Sequence, residues 1–195
     1  MENIETHPWE PFIPQDPTIL IMGTFPPGNH RWSMDFYYPN RTNDFWYMMG
    51  LIYFNDPKAL ITPGTNSFNL QEIKNLLRRE GIAMSDTALR VKRLKNNASD
   101  KFLEITEPRD IIELLKKMPR CRDIITTGEK ATAIAAAQLN VAPPPMGGSV
   151  TSQSGITLWR CPSTSRAYPL PLDKKAEYYS IPLLKHNRTC DEQSI

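Results

Sequence analysis

Residues 19–22, Ile-Leu-Ile-Met, form an unbroken apolar run that stops abruptly at Gly23-Thr24-Phe25-Pro26-Pro27. So short an apolar run, closed by a turn, fits a strand buried on both faces; a half-exposed strand would alternate polar and apolar residues. Glycine allows close approach to the backbone, and the prolines stiffen the exit. The pattern returns at 82–85 before Asp86, at 124–127 before Gly128, and at 156–160 before Cys161-Pro162-Ser163-Thr164-Ser165.

Between these runs the spacing changes to that of helices. Phe45, Met48, Met49 and Ile52 share one face, with Thr42 or Asn43 placed to cap it. Asn69 can cap a second helix striped by Leu70, Ile73 and Leu77, which Gly81 ends. Thr106 and Pro108 announce a third, with Ile111, Ile112, Leu115 and Met118 on its apolar face. An alanine-rich helix covers 129–139, and a last one starts at Asp173, to be kinked or ended by Pro182. The basic stretch 90–100 reads as a loop, and 141–150 (VAPPPMGGSV) as a hinge-like loop. Buried strands alternating with helices predict one doubly wound α/β domain, with three α/β/α layers around a central parallel four-stranded sheet.

The 195 residues suffice for a single domain with a substantial core, preceded by an extended lead-in at 1–17 and followed by a tail at 187–195. A net charge of +2 neither demands nor excludes nucleic acid, because a local basic groove matters more than the total. Cys121, Cys161 and Cys190 are far apart and form no CxxC pair. That argues against a zinc ribbon or an iron–sulfur cluster and fits free thiols in a reducing cytoplasm. The amino terminus has neither a basic lead nor an apolar core of signal-peptide length. No apolar run approaches the roughly 20 residues that span a bilayer. The expectation is a cytoplasmic, monomeric protein without membrane association. No metal and no cofactor is expected either, since His30 and His186 lack neighbours at ligand spacing.

In a parallel sheet the carboxyl ends of the strands form the rim where ligands bind. That puts Gly23, Thr24, Phe25 and Pro26 on the same edge as Ser163, Thr164, Ser165 and Arg166. Backbone N–H groups and hydroxyls in such a turn can hold a phosphate, to which Arg166 adds charge; a plain serine-rich loop has the same composition. Neither GxGxxG nor GxxxxGK[ST] occurs, which disfavours a dinucleotide or P-loop nucleotide site. Arg90, Lys92, Arg93, Lys95, Lys185 and Arg188 can line a path for a polyanion or form a solvated basic surface. Salt sensitivity of binding separates these two uses.

Taken in order, strand–GTFPP, YY-x₄-NxFW, strand–Asp86, strand–Gly128 and strand–PSTS resemble the uracil-DNA glycosylase superfamily from Ile19 to Tyr168. The likeness is greatest to its hypoxanthine-DNA glycosylase and mismatch-specific branches. The hypoxanthine branch carries a G[ST]FP-type first motif, a tyrosine-rich stretch before NxFW and a PSTS-type second motif. Arg93 with Ser99-Asp100 is similar to the family's middle segment. The GQDPYH and HPSPLS motifs of the uracil branch are absent, and Phe25 stands where the mismatch-specific branch has a water-positioning Asn. The resemblance implies a uracil-DNA glycosylase-like fold and a monofunctional DNA glycosylase of base excision repair. Such an enzyme hydrolyses the N-glycosidic bond of a deaminated base, uracil or hypoxanthine, flipped out of DNA.

The resemblance gives Asn43 the catalytic role, as the Asn of NxFW; capping the helix is its competing use. Breaking the bond puts oxocarbenium-like charge on the sugar and negative charge on the base. A positioned water and donors for the base then suffice. Asp86 assists the water, contacts the base or caps the next turn. Phe25, Tyr37 and Tyr38 offer rings on which a flipped base can stack, with core packing as the alternative, while Gly23, Thr24 and Pro26 shape the pocket. Arg93, Ser163, Thr164, Ser165 and Arg166 are the candidate DNA contacts. Two other classes stay open. One is a protein of the same fold that binds damaged or single-stranded DNA or a free base without cleaving it, which Phe25 in place of a catalytic Asn keeps open. The other is a small-molecule enzyme acting on a nucleoside or nucleotide.

Overall fold

The computed structural model describes residues 4–94 and 102–185, so Lys95, Ser99, Asp100, His186, Arg188, Cys190 and the expected tail lie outside the described residues. In chain order the elements are β1 (Ile4–Thr6), β2 (Ile19–Gly23), α1 (Phe45–Phe54), α2 (Leu70–Arg79), β3 (Ile82–Asp86), β4 (Ala88–Arg93) and β5 (Leu103–Pro108). They continue with α3 (Ile111–Lys116), β6 (Asp123–Thr127), α4 (Glu129–Gln138), β7 (Ser149–Thr151), β8 (Thr157–Cys161) and α5 (Leu172–Leu183).

The central sheet runs β3-β2-β6-β8-β7. Its first four strands are parallel, as the apolar runs predict. The short β7, inside the stretch expected to be a hinge-like loop, adds an antiparallel edge to β8. Successive side chains of a strand point to opposite faces, and both faces here are covered. Ile19 and Ile21 pack with Phe45, Ile73 and Tyr179 of α1, α2 and α5, whereas Leu20 and Met22 pack with Leu114 and Ala135 of α3 and α4. The two clusters make the three layers. The register pairs Gly23 with Asp86 and Thr127 with Cys161, which brings the four strand ends to one rim.

Several expectations need correction. Most of 90–94 is strand rather than loop: β4 lies between β1 and β5 in a separate antiparallel three-stranded sheet. Ala88 and Val91 are buried while Arg90 is exposed, so Arg90 marks the solvent side of a strand. Thr106 and Pro108 belong to β5. Helix α3 begins at Ile111, where the Asp110 carboxylate accepts from the Glu113 N–H at 2.9 Å. Its buried residues are Ile111 and Leu114, and Ile112 faces solvent. The extended lead-in is tied down at two points, where β1 pairs with β4 and the Phe12 backbone pairs with Met84. Asn69 caps α2 as expected, accepting from the Glu72 N–H at 3.2 Å. Pro182 sits one residue before α5 ends at Leu183, where its missing N–H removes one i→i−4 bond of the last turn, so it closes the helix rather than interrupting it. Among the described residues no helix is long and apolar enough to cross a membrane.

Candidate active site

A cavity of about 990 Å³ opens on the carboxyl rim. Its lining includes Gly23, Thr24, Phe25, Pro26, Tyr38, Asn43 and Asp86, together with Ser163, Thr164, Ser165 and Arg166. The topology thus joins the first and last motifs of the sequence in one depression. Two candidates fall elsewhere. Tyr37 is buried in the core at 1% exposure and donates its hydroxyl to the Glu10 carbonyl at 3.1 Å. Burial, then the charge of Asp86, pushes its phenol well above the usual tyrosine range. Arg93 makes two bonds to the Glu5 carboxylate, at 2.8 and 3.0 Å, and donates to the Pro26 carbonyl at 3.2 Å. It braces the Gly23–Pro27 turn from behind rather than facing the cavity.

The floor is built around Gly23. A Cβ there would lie 2.7 Å from the Asp86 Oδ1, 3.0 Å from the Tyr38 hydroxyl and 3.5 Å from the Thr127 Oγ1. The Tyr38 and Thr127 hydroxyls share a hydrogen bond of 2.8 Å, and Phe45 covers one face of the Tyr38 ring at a centroid distance of 3.9 Å. Tyr38 holds a left-handed φ of 52°, a costly conformation for a tyrosine that turns it toward the cavity while its neighbour Tyr37 turns inward. Only glycine leaves room for this cradle of oxygen atoms. Gly23→Ala is expected to cost about 1–3 kcal/mol through crowding, read from the urea midpoint; an unshifted midpoint would show that the carboxylate swings aside freely.

Asp86 is oriented by a residue the sequence did not mark. His7, just past β1 and with a fully buried side chain, donates from Nε2 to the Asp86 Oδ2 at 2.9 Å. Its ring also meets the edge of Phe25 at 5.4 Å. One carboxylate oxygen is thereby fixed by the small sheet, and the other lies against Gly23. No motif announces His7, because 79 residues separate it from its partner and only the β1–β4 pairing brings it there.

Asn43 lines the cavity, and its Oδ1 accepts from the Phe45 N–H at 2.9 Å. This Asx turn opens α1, whose cap position is Asp44 rather than Asn43 or Thr42. A backbone N–H can only donate, so the bond fixes which end of the amide is oxygen. The turn and the chemistry are therefore compatible uses of one side chain.

Asp44 ties this segment to the last motif. Its backbone N–H donates to the Thr164 carbonyl at 2.8 Å, and its carboxylate accepts from Lys175 at 2.8 Å and Arg166 at 3.1 Å. Lys175 of α5 is completely buried and also donates to the Ser165 carbonyl at 2.9 Å. The hydroxyls of Ser163 and Ser165 accept from the Ser165 and Ala167 N–H groups, so they shape the turn. Arg166 belongs to this clamp as much as to the rim, and Arg31 stands exposed at the mouth. Nothing in the spacing of Asp44 and Lys175, at the cap of α1 and on α5, announces their meeting.

The sequence matches no protein-family model and no curated protein. By structure, the chain is similar to the solution NMR structure of a "putative Uracil DNA glycosylase" from Methanosarcina acetivorans. The TM-score is 0.65 at 18% identity, and the match covers 92% of this chain and 96% of that one. At that identity the likeness carries the fold: a mixed α/β architecture with a mostly parallel central sheet, as in that neighbour.

Proposed function

We propose that the protein is a monofunctional DNA glycosylase that releases a deaminated base, uracil or hypoxanthine, from DNA in base excision repair. The observation that carries this reading is the convergence of Asn43, Asp86, Tyr38 and Phe25 on one cavity at the strand ends. An extruded base needs an acceptor for its ring N–H, donors for its carbonyls and a ring beside it. Asp86 Oδ1, the paired hydroxyls of Tyr38 and Thr127, and Phe25 supply these in turn. Water adds to the sugar carbon as the C–N bond breaks, the base leaves with the electron pair, and the proton the water sheds ends on the departing base. Asn43 holds that water, and hydroxyl donors at the base edge take up the developing charge. Lys130, the lysine among the described residues lining the cavity, has its ammonium on the Leu103 carbonyl, which fits hydrolysis rather than Schiff-base chemistry.

The test is alkali-induced strand cleavage of labelled oligonucleotides carrying uracil, hypoxanthine, xanthine or a mismatch. Release of one deaminated base with an abasic product supports the reading. Tight binding without release would move the protein to the binding class that Phe25 in the first motif keeps open. Affinity should fall steeply with salt, and Arg31→Gln should reduce the slope of log K against log salt by about one. An unchanged slope would remove Arg31 from the DNA path.

A further inference from the structure

A second cavity, of about 410 Å³, lies on the other side of the turn that follows β2. Its size is within the range of about 300–1,000 Å³ in which small ligands bind. The small sheet lines it with Glu5 and Thr6 of β1 and Arg93 of β4. A turn of 3₁₀ helix, Asn29–Arg31, and the following Trp32 add His30, Arg31 and the indole. Phe25, Pro26, Pro27 and Arg31 line this cavity and the one at the strand ends alike, so a single turn divides the two.

The divider is stiff, and its polar groups are already engaged. Pro26 and Pro27 have no N–H to offer. The Pro26 carbonyl accepts from Arg93 at 3.2 Å, and the Pro27 carbonyl accepts from the Trp32 indole N–H at 2.7 Å. Arg93 in turn is bonded twice to the Glu5 carboxylate. Ring surface remains. Trp9 backs the half-buried Trp32 ring at a centroid distance of 4.7 Å, and the exposed His30 ring folds over Gly28, where a Cβ would begin 2.9 Å from it. The Arg31 and Trp32 N–H groups close the turn on the Gly28 and Asn29 carbonyls, each at 3.0 Å. Arg31 itself is exposed and is the cation common to the two linings.

We propose that the second cavity receives the base next to the extruded one, from a single strand of DNA that straddles the Phe25–Pro27 turn. The inference rests on the glycosylase reading for the strand and for the base in the first cavity. Trp32 and His30 offer stacking surfaces, and stacking tolerates any sequence because every base has a π-face. The phosphate between the two nucleotides then crosses the divider, where Arg31 stands to neutralise it. A single strand can splay two neighbouring bases to either side of such a divider. In a duplex the neighbour is paired and stacked, and leaving the stack costs most there.

The test measures binding of labelled single strands carrying uracil or hypoxanthine on a 2′-fluorinated sugar, which resists base loss. The nucleotide on the 5′ or the 3′ side of the lesion is either normal or an abasic tetrahydrofuran. Wild type is expected to bind the normal strand about tenfold more tightly than one of the two tetrahydrofuran strands. Trp32→Leu and, separately, His30→Ala should bring that ratio toward one, and in duplex DNA the ratio should stay near one throughout. Equal binding of all single strands by wild type would overturn the proposal and leave the cavity to solvent. A ratio that persists in both variants, or that is as large in duplex, would overturn it by placing the neighbouring base elsewhere. Trp32 packs on Trp9, so if its variant fails to fold, the exposed His30→Ala decides alone. Base release from the unfluorinated strands is read in parallel. Release without a neighbour effect ends the proposal and keeps the glycosylase reading, whereas a neighbour effect without release ends that reading and keeps the subsite.

Discussion

Asp44→Asn is expected to destabilise the protein by about 3–5 kcal/mol, and Lys175→Met by distinctly less. The asymmetry follows from where each partner stands. Lys175 has no solvent contact, and its ammonium is held by the Asp44 carboxylate at 2.8 Å and a single carbonyl, that of Ser165. Neutralising Asp44 without changing its shape leaves a positive charge in the interior with no anion beside it. Removing Lys175 instead leaves a carboxylate that is 13% exposed and still bonded to Arg166 at 3.1 Å. Methionine also fills the space of the lysine stem with apolar atoms. Urea unfolding at a constant slope would measure both costs. A Lys175→Met cost equal to or above that of Asp44→Asn would show that the buried cation is not the liability. In the double variant, part of the Asp44→Asn loss should return, because no buried charge is left unmatched.

The consequence for the site is direct. Asp44 follows Asn43 in the chain and is bonded to the turn containing Thr164 and Ser165. Loosening the clamp therefore displaces the first and last motifs relative to one another. At temperatures where Asp44→Asn is still folded, its base release should fall more than its stability alone explains.

Asn43→Ala is expected to lower base release by about 100- to 1000-fold, the scale of removing one oriented polar group that acts in the transition state. The same change removes the acceptor of the Phe45 N–H and should cost about 1 kcal/mol of stability, as for other lost caps. The two effects are separable. Asn43→Asp keeps an oxygen for the Phe45 N–H and places a negative charge at the start of α1, where the helix dipole favours it. Its stability should match or exceed wild type. If its base release is nevertheless lost, the amide itself acts on the water or the base. Wild-type rates for both variants, with only Asn43→Ala destabilised, would reduce Asn43 to an Asx-turn residue. Catalysis would then have to be sought at Asp86 and its partner His7.

Three of the four parallel strands, β2, β3 and β6, were legible because each is buried along its length, which forces a largely apolar run; β8 is only partly buried and was legible from Ile156, Leu158 and Trp159 and the Pro162 turn that closes it. The rim was legible for a related reason: Gly23, Asp86, Gly128 and Pro162 each follow such a run, and parallel strands end on the same side. Local capping was partly legible, since Asn69 sits one residue ahead of an apolar stripe. By contrast β4 and β5 were hidden, because alternation in a half-exposed antiparallel strand resembles a polar loop when Arg90 and Lys92 flank Val91 and the inward-held Arg93 is itself charged. The adjacent pair Tyr37 and Tyr38 could not be told apart in sequence. A left-handed φ at Tyr38 sends one ring to the cavity and leaves the other in the core.

The amino-acid sequence by itself determined the layered α/β architecture and the edge on which a ligand can bind, since both follow from local apolar runs and the turns that close them. Only the tertiary structure decided what that edge contains. His7 reaches Asp86 through the pairing of β1 with β4, and Lys175 reaches Asp44 through the packing of α5 on α1. The reason is physical: a carboxylate or an ammonium shows no periodicity of its own, so its partner is set by the distant element that folds over it.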